Sequence, residues 1–494
     1  MRFSSIGITA LVAHILNAHD FGTFAVATTA FTLVSAIGEF GVTSCLARAD
    51  LDVDALAPTL WTVSLSTSWL VAGLLALFAQ PFATLLGSSA GAGPIRVMAI
   101  IMALWGVSAV PTAQCVRDFK QSALFYANVL AFIPSTLVLL LLAKHGSGAM
   151  AFAWSRVAGQ VVSCVVILCF TPKLHLPGMR RSALSILARF GIPLALANLI
   201  SNILQNVDYG LIGHFIGPVG LGLYVIAFNS ASWSTALLGA VLSTVAMPAF
   251  SRVKHDATQL MGAIGDSVRA VMLVSAPMCT LVVAVARPLI LTVYGNKWAP
   301  AATVLSILAA YGIISILGQL FSSMLAALGR SRSVLFVQLT WLAVLAPAMV
   351  IGVKRDGIVG AAIAHVVVIG PIVLPCYVIM IIRATGVHVG TLVREALFPF
   401  VVALIAAILA WFTAAQFHTP SLSLIGGLSA GGLFYVLVTA PQLVQLLGEG
   451  LAGRSQVQRI LRIYIKIGHT IGISMGPPPR HRRRRGARRR TWRS

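Results

Sequence analysis

Three ionisable side chains stand inside long apolar stretches of this chain: Glu39, Arg156 and Asp208. A charge in such a setting is costly and normally faces a cavity or a partner. Arg156 would attract an anionic group such as a phosphate, while Glu39 and Asp208 would hold a cation or meet across a gate. The structural alternative is that any two of them pair to hold a helix bundle together. Around Asp208 the chain also places Asn202, Asn206 and Tyr209, and then Asn229, Ser230, Ser232, Trp233 and Ser234. Neutral donors and acceptors suit hydroxyl-rich ligands, and an aromatic face can cover a sugar ring. Ser and Asn also glue apolar helices to one another, so helix packing is an equal reading of the cluster.

This is binding chemistry rather than bond-breaking chemistry. The six cysteines lie in or at the edges of apolar segments with no CxxC pair, and read as small core residues. The histidines form no HxxxH or HExxH pattern, so no metal is expected, and no phosphate-cradling glycine loop suggests ATP as an energy source. Asp and Glu total only 12, and the loops between apolar stretches are short, which argues against a membrane-bound glycosyltransferase, ligase or polymerase. No cofactor is expected beyond a coupling ion, H+ or Na+, or the membrane potential.

The elements that position these residues must be membrane helices, because 58% of the 494 residues are hydrophobic and only 10% are charged. Spans of about 20 apolar residues occur fourteen times, at approximately 3–17, 23–47, 59–86, 95–115, 123–143, 148–171, 190–215, 221–249, 267–294, 302–328, 333–353, 358–382, 394–416 and 420–444. The chain also repeats itself. AHILNAHDFGTFAVA at 13–27 and GHFIGPVGLGLYVIA at 213–227 align without a gap, pairing His14 with His214, Gly22 with Gly222 and Phe24 with Tyr224. The match continues at Pro81 and Gly87 against Pro288 and Gly295, and at Trp105-Gly106 against Tyr311-Gly312. The expected fold is therefore all-α and polytopic, with two parallel six-helix repeats followed by two further helices. Duplicated membrane chains of this kind are commonly transporters with the substrate path between the repeats.

With the N-terminus inside, fifteen basic loop residues fall on the cytoplasmic side, against five outside: Arg96, Lys144, Lys297, Lys354 and Arg355. That asymmetry places both termini in the cytoplasm. The first apolar run is short, yet its repeat partner is a retained helix and it lacks a small-residue cleavage pattern, so a start assigned too far downstream explains it better than a secretory signal. The formal charge of +23 comes largely from the C-terminus, where Arg482, Arg483, Arg484, Arg485, Arg488, Arg489 and Arg490 follow Pro477, Pro478 and Pro479. A polybasic segment there is expected to meet anionic lipid headgroups, at about 1 kcal/mol per charge, rather than nucleic acid. The preceding Ile460, Ile463, Ile467 and Ile471 recur at helical spacing beside Arg459, Arg462 and Lys466, a pattern that suits an interfacial helix.

The segments NVDYGLIGHFIGPVGLGLYVIAFN, STVAMPAFSR, YGNKWAPAATVLSILA and LAALGRSRS, in that order, resemble the polysaccharide transporter branch (Wzx-like oligosaccharide and O-antigen flippases) of the MATE/MOP flippase superfamily. The resemblance covers most of the chain from the first to the twelfth span. It implies a V-shaped bundle of two six-helix lobes around a central cavity, lined largely by the first, second, seventh and eighth helices. It also implies a bacterial inner-membrane protein that moves polyprenyl-pyrophosphate-linked oligosaccharide by alternating access, in concert with polysaccharide assembly proteins. Asp208, Gly213, Gly217 and Tyr224 match the family pattern. His214 stands where the family often has Arg, with His14 at the comparable first-helix position; an imidazole there would hold an anion more weakly but could couple movement to protonation.

The expected organisation is thus a lobe at 1–172, a cytoplasmic linker at 173–189, a second lobe at 190–383, two additional helices at 384–444 and a basic tail at 445–494. The candidate cavity residues are His14, Glu39, Arg156, Asn202, Asn206, Asp208, Tyr209, His214, Asn229 and Trp233. A cation-coupled exporter of small amphiphiles and a flippase for peptidoglycan precursor (lipid II) are the alternatives that share this architecture.

Overall fold

A computed structural model of the chain describes residues 2–38, 53–171, 177–179, 181–233 and 257–450. Glu39, Ser234 and the basic tail with Arg482–Arg490 lie outside the described residues. Those described are helical almost throughout, with short turns between helices. The first half contains α1 (Arg2–Ile15), α2 (Ala18–Gly38), α3 (Val53–Leu77), α4 (Ala79–Leu85), α5 (Ala92–Arg117), α6 (Gln121–Lys144) and α7 (Ala149–Phe170). The second begins with α8 (Arg181–Ile216), followed by α9, helical over 218–233. After these come α10 (Ala257–Ala284), α11 (Ala286–Val293), α12 (Ala301–Ala327), α13 (Ser331–Val368), α14 (Leu374–Thr385), α15 (Val389–Ala414) and α16 (Pro420–Gly450). Among the described residues nine helical stretches are long and apolar enough to cross a membrane, and the stretch at Ser331–Thr385 is the longest.

Three boundaries differ from the sequence expectation. α8 starts at Arg181, so the second half of the expected 173–189 linker is the first two turns of a 36-residue helix. The apolar runs 59–86 and 267–294 are each broken in two, at Phe78 and Val285. Proline explains both breaks: the rings of Pro81 and Pro288 would clash with the carbonyls four residues earlier, and neither nitrogen can donate. α13 is itself interrupted at Asp356 and Gly357, where the chain turns back.

Small residues let these helices approach closely. Gly106 of α5 lies against Ser64 and Ser68 of α3, beside a buried cluster of Leu56, Ala57, Leu60, Ala109, Val110 and Ala113. Gly427 and Gly431 of α16 meet the carbonyls of Ala410 and Ala406 in α15, while Thr280 of α10 donates to the Ala403 carbonyl at 3.1 Å. Such contacts are the usual source of helix association where lipid removes the hydrophobic drive. The α6 stretch is the least buried of the nine and α5 the most, so α6 lies at the periphery and α5 in the core.

The turn between α1 and α2 is held by a reciprocal cap. The Asp20 N–H donates to Asn17 Oδ1 at 2.9 Å, and the Asn17 N–H donates to Asp20 Oδ2 at 3.3 Å. Both carboxamide and carboxylate thereby satisfy amides that would otherwise be orphaned at the start of α2. Gly148, before α7, has φ 53° and ψ −131°, and a side chain there would start 2.7 Å from Asp20 Oδ1. Gly357 adopts nearly the same backbone, φ 58° and ψ −133°. Asn17→Ala is expected to cost about 1 kcal/mol, read as a lower apparent Tm of the detergent-solubilised protein. An unchanged Tm would show that the turn is held by other contacts.

Candidate functional site

The α1–α2 and α8–α9 turns meet each other, and the contact is made by backbone. A Cβ at Gly22 would collide with the Pro218 carbonyl, and one at Gly222 with the Ala18 carbonyl. Beside them Gly87, which ends the α4 turn, faces the Gly213 carbonyl of α8, and Gly213 in turn faces the Leu86 carbonyl. His214 Nδ1 donates to the Leu85 carbonyl at 2.7 Å. At the opposite corner the His14 ring stands 3.5 Å from where a side chain at Gly295 would begin. The two histidines that align in sequence thus occupy matching positions on the same seam, each against a segment from the other half.

The C-terminal end of α1 is capped from across this seam. Lys297 Nζ donates to the carbonyls of His14 at 3.0 Å and Leu16 at 2.6 Å, and the fully buried Trp298 donates through Nε1 to the Ala13 carbonyl at 3.0 Å. Carbonyls at a helix C-terminus lack partners within the helix and attract cations. Burial lowers the pKa of Lys297, which lies between the spanning segments, while nearby Asp20 raises it. The sequence drew attention to Lys297 only as a topology marker; its partners are free carbonyls, which leave no signature in residue types.

Deeper along α8, Asp208 is buried with 3% exposure. Its Oδ1 accepts from the Tyr209 N–H at 2.9 Å, and its Oδ2 accepts from the Tyr224 hydroxyl at 3.3 Å. His365 Nε2 of α13 lies 3.8 Å from the same Oδ2. The Tyr224 ring stacks on Phe228, Tyr209 meets Phe228 edge-on, and Tyr311 of α12 lies 5.1 Å from the His365 ring, centre to centre. His365 was not among the residues expected from sequence. One histidine in AAIAHVVVIG has no local pattern, and only the fold brings it to Asp208.

Arg156 of α7 is exposed, with its guanidinium 5.2 Å above the Phe24 ring of α2. Phe24 stacks on Phe152, Phe152 packs against Phe21, and Phe21 packs against Trp298. A continuous aromatic row therefore joins Arg156 to the seam. Among the described residues no carboxylate forms an ion pair with Arg156. An apolar cavity of about 470 Å³ opens between α2, α3 and α4, walled by Val34, Leu74, Leu75, Phe78, Phe82 and by Leu85, which meets His214 at the seam.

The remaining expected residues divide. Asn202 Nδ2 donates to the Thr32 carbonyl of α2 at 3.2 Å, bridging the two halves, and Asn206 Nδ2 donates within its own helix to the Asn202 carbonyl at 2.9 Å. Asn229 is exposed, and Trp233 tilts over Tyr294, whose hydroxyl pairs with Ser230 at 3.0 Å. Among the described residues no group of three or more His, Cys, Asp or Glu side chains is placed to hold a metal ion.

Residues 11–303 match the family model described as "Polysaccharide biosynthesis protein". The chain is 27% identical over 447 residues to the succinoglycan biosynthesis transport protein ExoT of Rhizobium meliloti (strain 1021), covering 87% of each chain. It is 21% identical over 366 residues to the lipopolysaccharide biosynthesis protein WzxC of Escherichia coli (strain K12), covering 72% of this chain and 73% of that one. Among solved structures, the lipid II flippase MurJ in an inward closed conformation is similar with a TM-score of 0.72 at 12% identity, covering 90% of this chain and 97% of the other. An inward-facing multidrug resistance MATE transporter of the MOP superfamily is similar with a TM-score of 0.57 at 14% identity, covering 77% and 94%. These structural likenesses concern the fold.

Valine at Gly22 or Gly222 is expected to hold the seam apart, because no rotamer removes a Cβ from an opposing carbonyl. The readout is maleimide labelling of a cysteine replacing Ser88, which is buried beside Thr23, in a background freed of the native cysteines. Labelling should rise several-fold in either valine variant. Equal labelling in all three proteins would mean that the glycine contacts do not close this face.

Proposed function

The chain belongs to the polysaccharide biosynthesis protein family, and on that premise we propose that it is a flippase for polyprenyl-pyrophosphate-linked oligosaccharide, serving cell-surface polysaccharide synthesis in the bacterial inner membrane. It is a transporter, not an enzyme: rocking of two lobes requires no chemistry on the cargo. The observation that carries the reading is Arg156, an exposed, permanently charged group on a spanning helix that rests on an aromatic face. A guanidinium so placed suits a diphosphate, with two parallel donors for its oxygens. The apolar cavity near the seam suits hydrocarbon, in keeping with a lipid tail that stays in the bilayer while the headgroup crosses.

In this reading the chain has fourteen spans, as two parallel six-helix lobes in a V and two added helices. The distribution of basic loop residues puts both termini in the cytoplasm and the glycine seam on the outer face. The seam is then the outer gate, and opening it releases the glycan outward. The basic tail is assigned to anionic lipid at the cytoplasmic surface, with polysaccharide assembly proteins as further partners and no role for nucleic acid. A small-molecule exporter and a lipid II flippase share the fold, but the family and the full-length relatives favour polysaccharide intermediates.

The test is the leaflet location of the lipid-linked glycan after depletion, using a membrane-impermeant sugar probe on intact and opened cells. Glycan reachable only after opening supports the reading, and normal outer-leaflet glycan in cells without a second flippase contradicts it. Arg156→Ala should slow translocation at least tenfold, given about 1.5–3 kcal/mol for a hydrogen bond to a charged group. Arg156→Lys should recover part of that loss. A wild-type rate in Arg156→Ala would remove Arg156 from the substrate path.

A further inference from the structure

Arg156 stands eight residues after Gly148, and His365 stands eight after Gly357. The two glycines share an unusual backbone conformation at the start of corresponding helices, so Arg156 and His365 occupy equivalent places in the two halves. Their neighbours correspond as well. Phe24, under the Arg156 guanidinium, aligns with Tyr224, which donates to Asp208 beside His365. The carboxylate itself has no counterpart, because the residue aligned with Asp208 is Ile8. One half therefore holds a fixed positive charge exposed on an aromatic ring, and the other holds a titratable ring buried beside an acid.

We propose that Asp208 and His365 form a proton-binding site in the C-terminal half, and that its occupancy sets whether the seam is closed. His365 is 95% buried, by its 5% exposure, and among the described residues neither of its ring nitrogens has a hydrogen-bond partner. Leaving buried polar atoms unsatisfied is unfavourable, and a proton on His365 would convert that cost into attraction to Asp208. The groups facing the pair are Tyr209 from α8, Tyr224 from α9 and Tyr311 from α12, with Phe228 as an apolar wall. Among the described residues no lysine or arginine makes an ion pair with Asp208, so His365 is the group there that can change the balance of charge. The site suits a proton better than Na+, since a hard cation prefers several oxygen ligands and here an imidazole occupies one side.

The site is mechanically coupled to the seam because Asp208 lies on the same helix as Gly213 and His214, and Tyr224 on the same helix as Gly222. Gain or loss of one charge between α8, α9 and α13 therefore acts on the elements whose backbones close the face. This inference rests on the transport reading for its meaning, but its test does not need the glycan.

Spin labels at cysteines replacing Ser89 and Val219, exposed positions on opposite sides of the seam, would report its opening in lipid nanodiscs, in a background freed of native cysteines. In the otherwise unchanged protein the distance distribution should shift between two populations as the pH is varied. His365→Gln should abolish the shift. His365→Arg, which installs the residue that the other half carries, should hold one population at every pH and shows that the site tolerates a cation. A pH-independent distribution in the unchanged protein, or the same pH dependence in His365→Gln, would overturn the proposal. Loss of glycan movement in the depletion assay is a separate result and bears on the flippase reading alone.

Discussion

Two helical turns from opposite halves of this protein meet through carbonyl oxygens and missing side chains, and the rest of the architecture is arranged around that contact. In a bilayer, lipid tails are as apolar as the residues they would be replaced by, so burying leucine gives little reason for two lobes to close. Close approach must instead come from backbone, and backbone can approach only where no Cβ intervenes. Gly22, Gly222, Gly87 and Gly213 meet that requirement at four points of one face. Hydrogen bonds from His214, Lys297 and Trp298 to carbonyls of the other half complete it. Such a seam is either seated or not, which is the behaviour a gate needs.

The helix breaks follow from the same requirement. Pro81 and Pro288 interrupt what would otherwise be uniform spans, and each break carries the chain sideways to a glycine with positive φ, Gly87 or Gly295, at the seam. A straight helix would place its end elsewhere. The aromatic row from Phe24 through Phe152 and Phe21 to Trp298 then connects this face with Arg156. Arg156 and the seam are thus joined by packed rings rather than by loops.

Much of this was legible from sequence for identifiable reasons. Apolar runs of membrane length need no knowledge of side-chain direction, and they point to an all-helical membrane bundle, which the described residues form. The paired histidines also came from register alone, and the structure places both at the seam. What sequence could not supply was rotation about each helix axis. Asn202 belongs to a cluster that the sequence reads equally as sugar contact or helix packing, and the structure has its side chain reach across to the Thr32 carbonyl of α2. His365 passed unnoticed because its partner lies on a distant helix. Pro81 and Pro288 were visible as repeat markers, yet their consequence, two breaks inside the runs 59–86 and 267–294, depended on how the following segments pack.

The claim that translocation requires this seam to open is tested most directly by tying it shut. Cysteines replacing Leu85 and His214, residues that touch across the seam, would be joined by a short reducible cross-linker in membranes that hold a labelled lipid-linked glycan. The account predicts that outward movement of the glycan stops when the link forms and resumes when it is reduced, with the rates of the single-cysteine proteins insensitive to the cross-linker. Translocation at an unchanged rate through a fully cross-linked protein would contradict it.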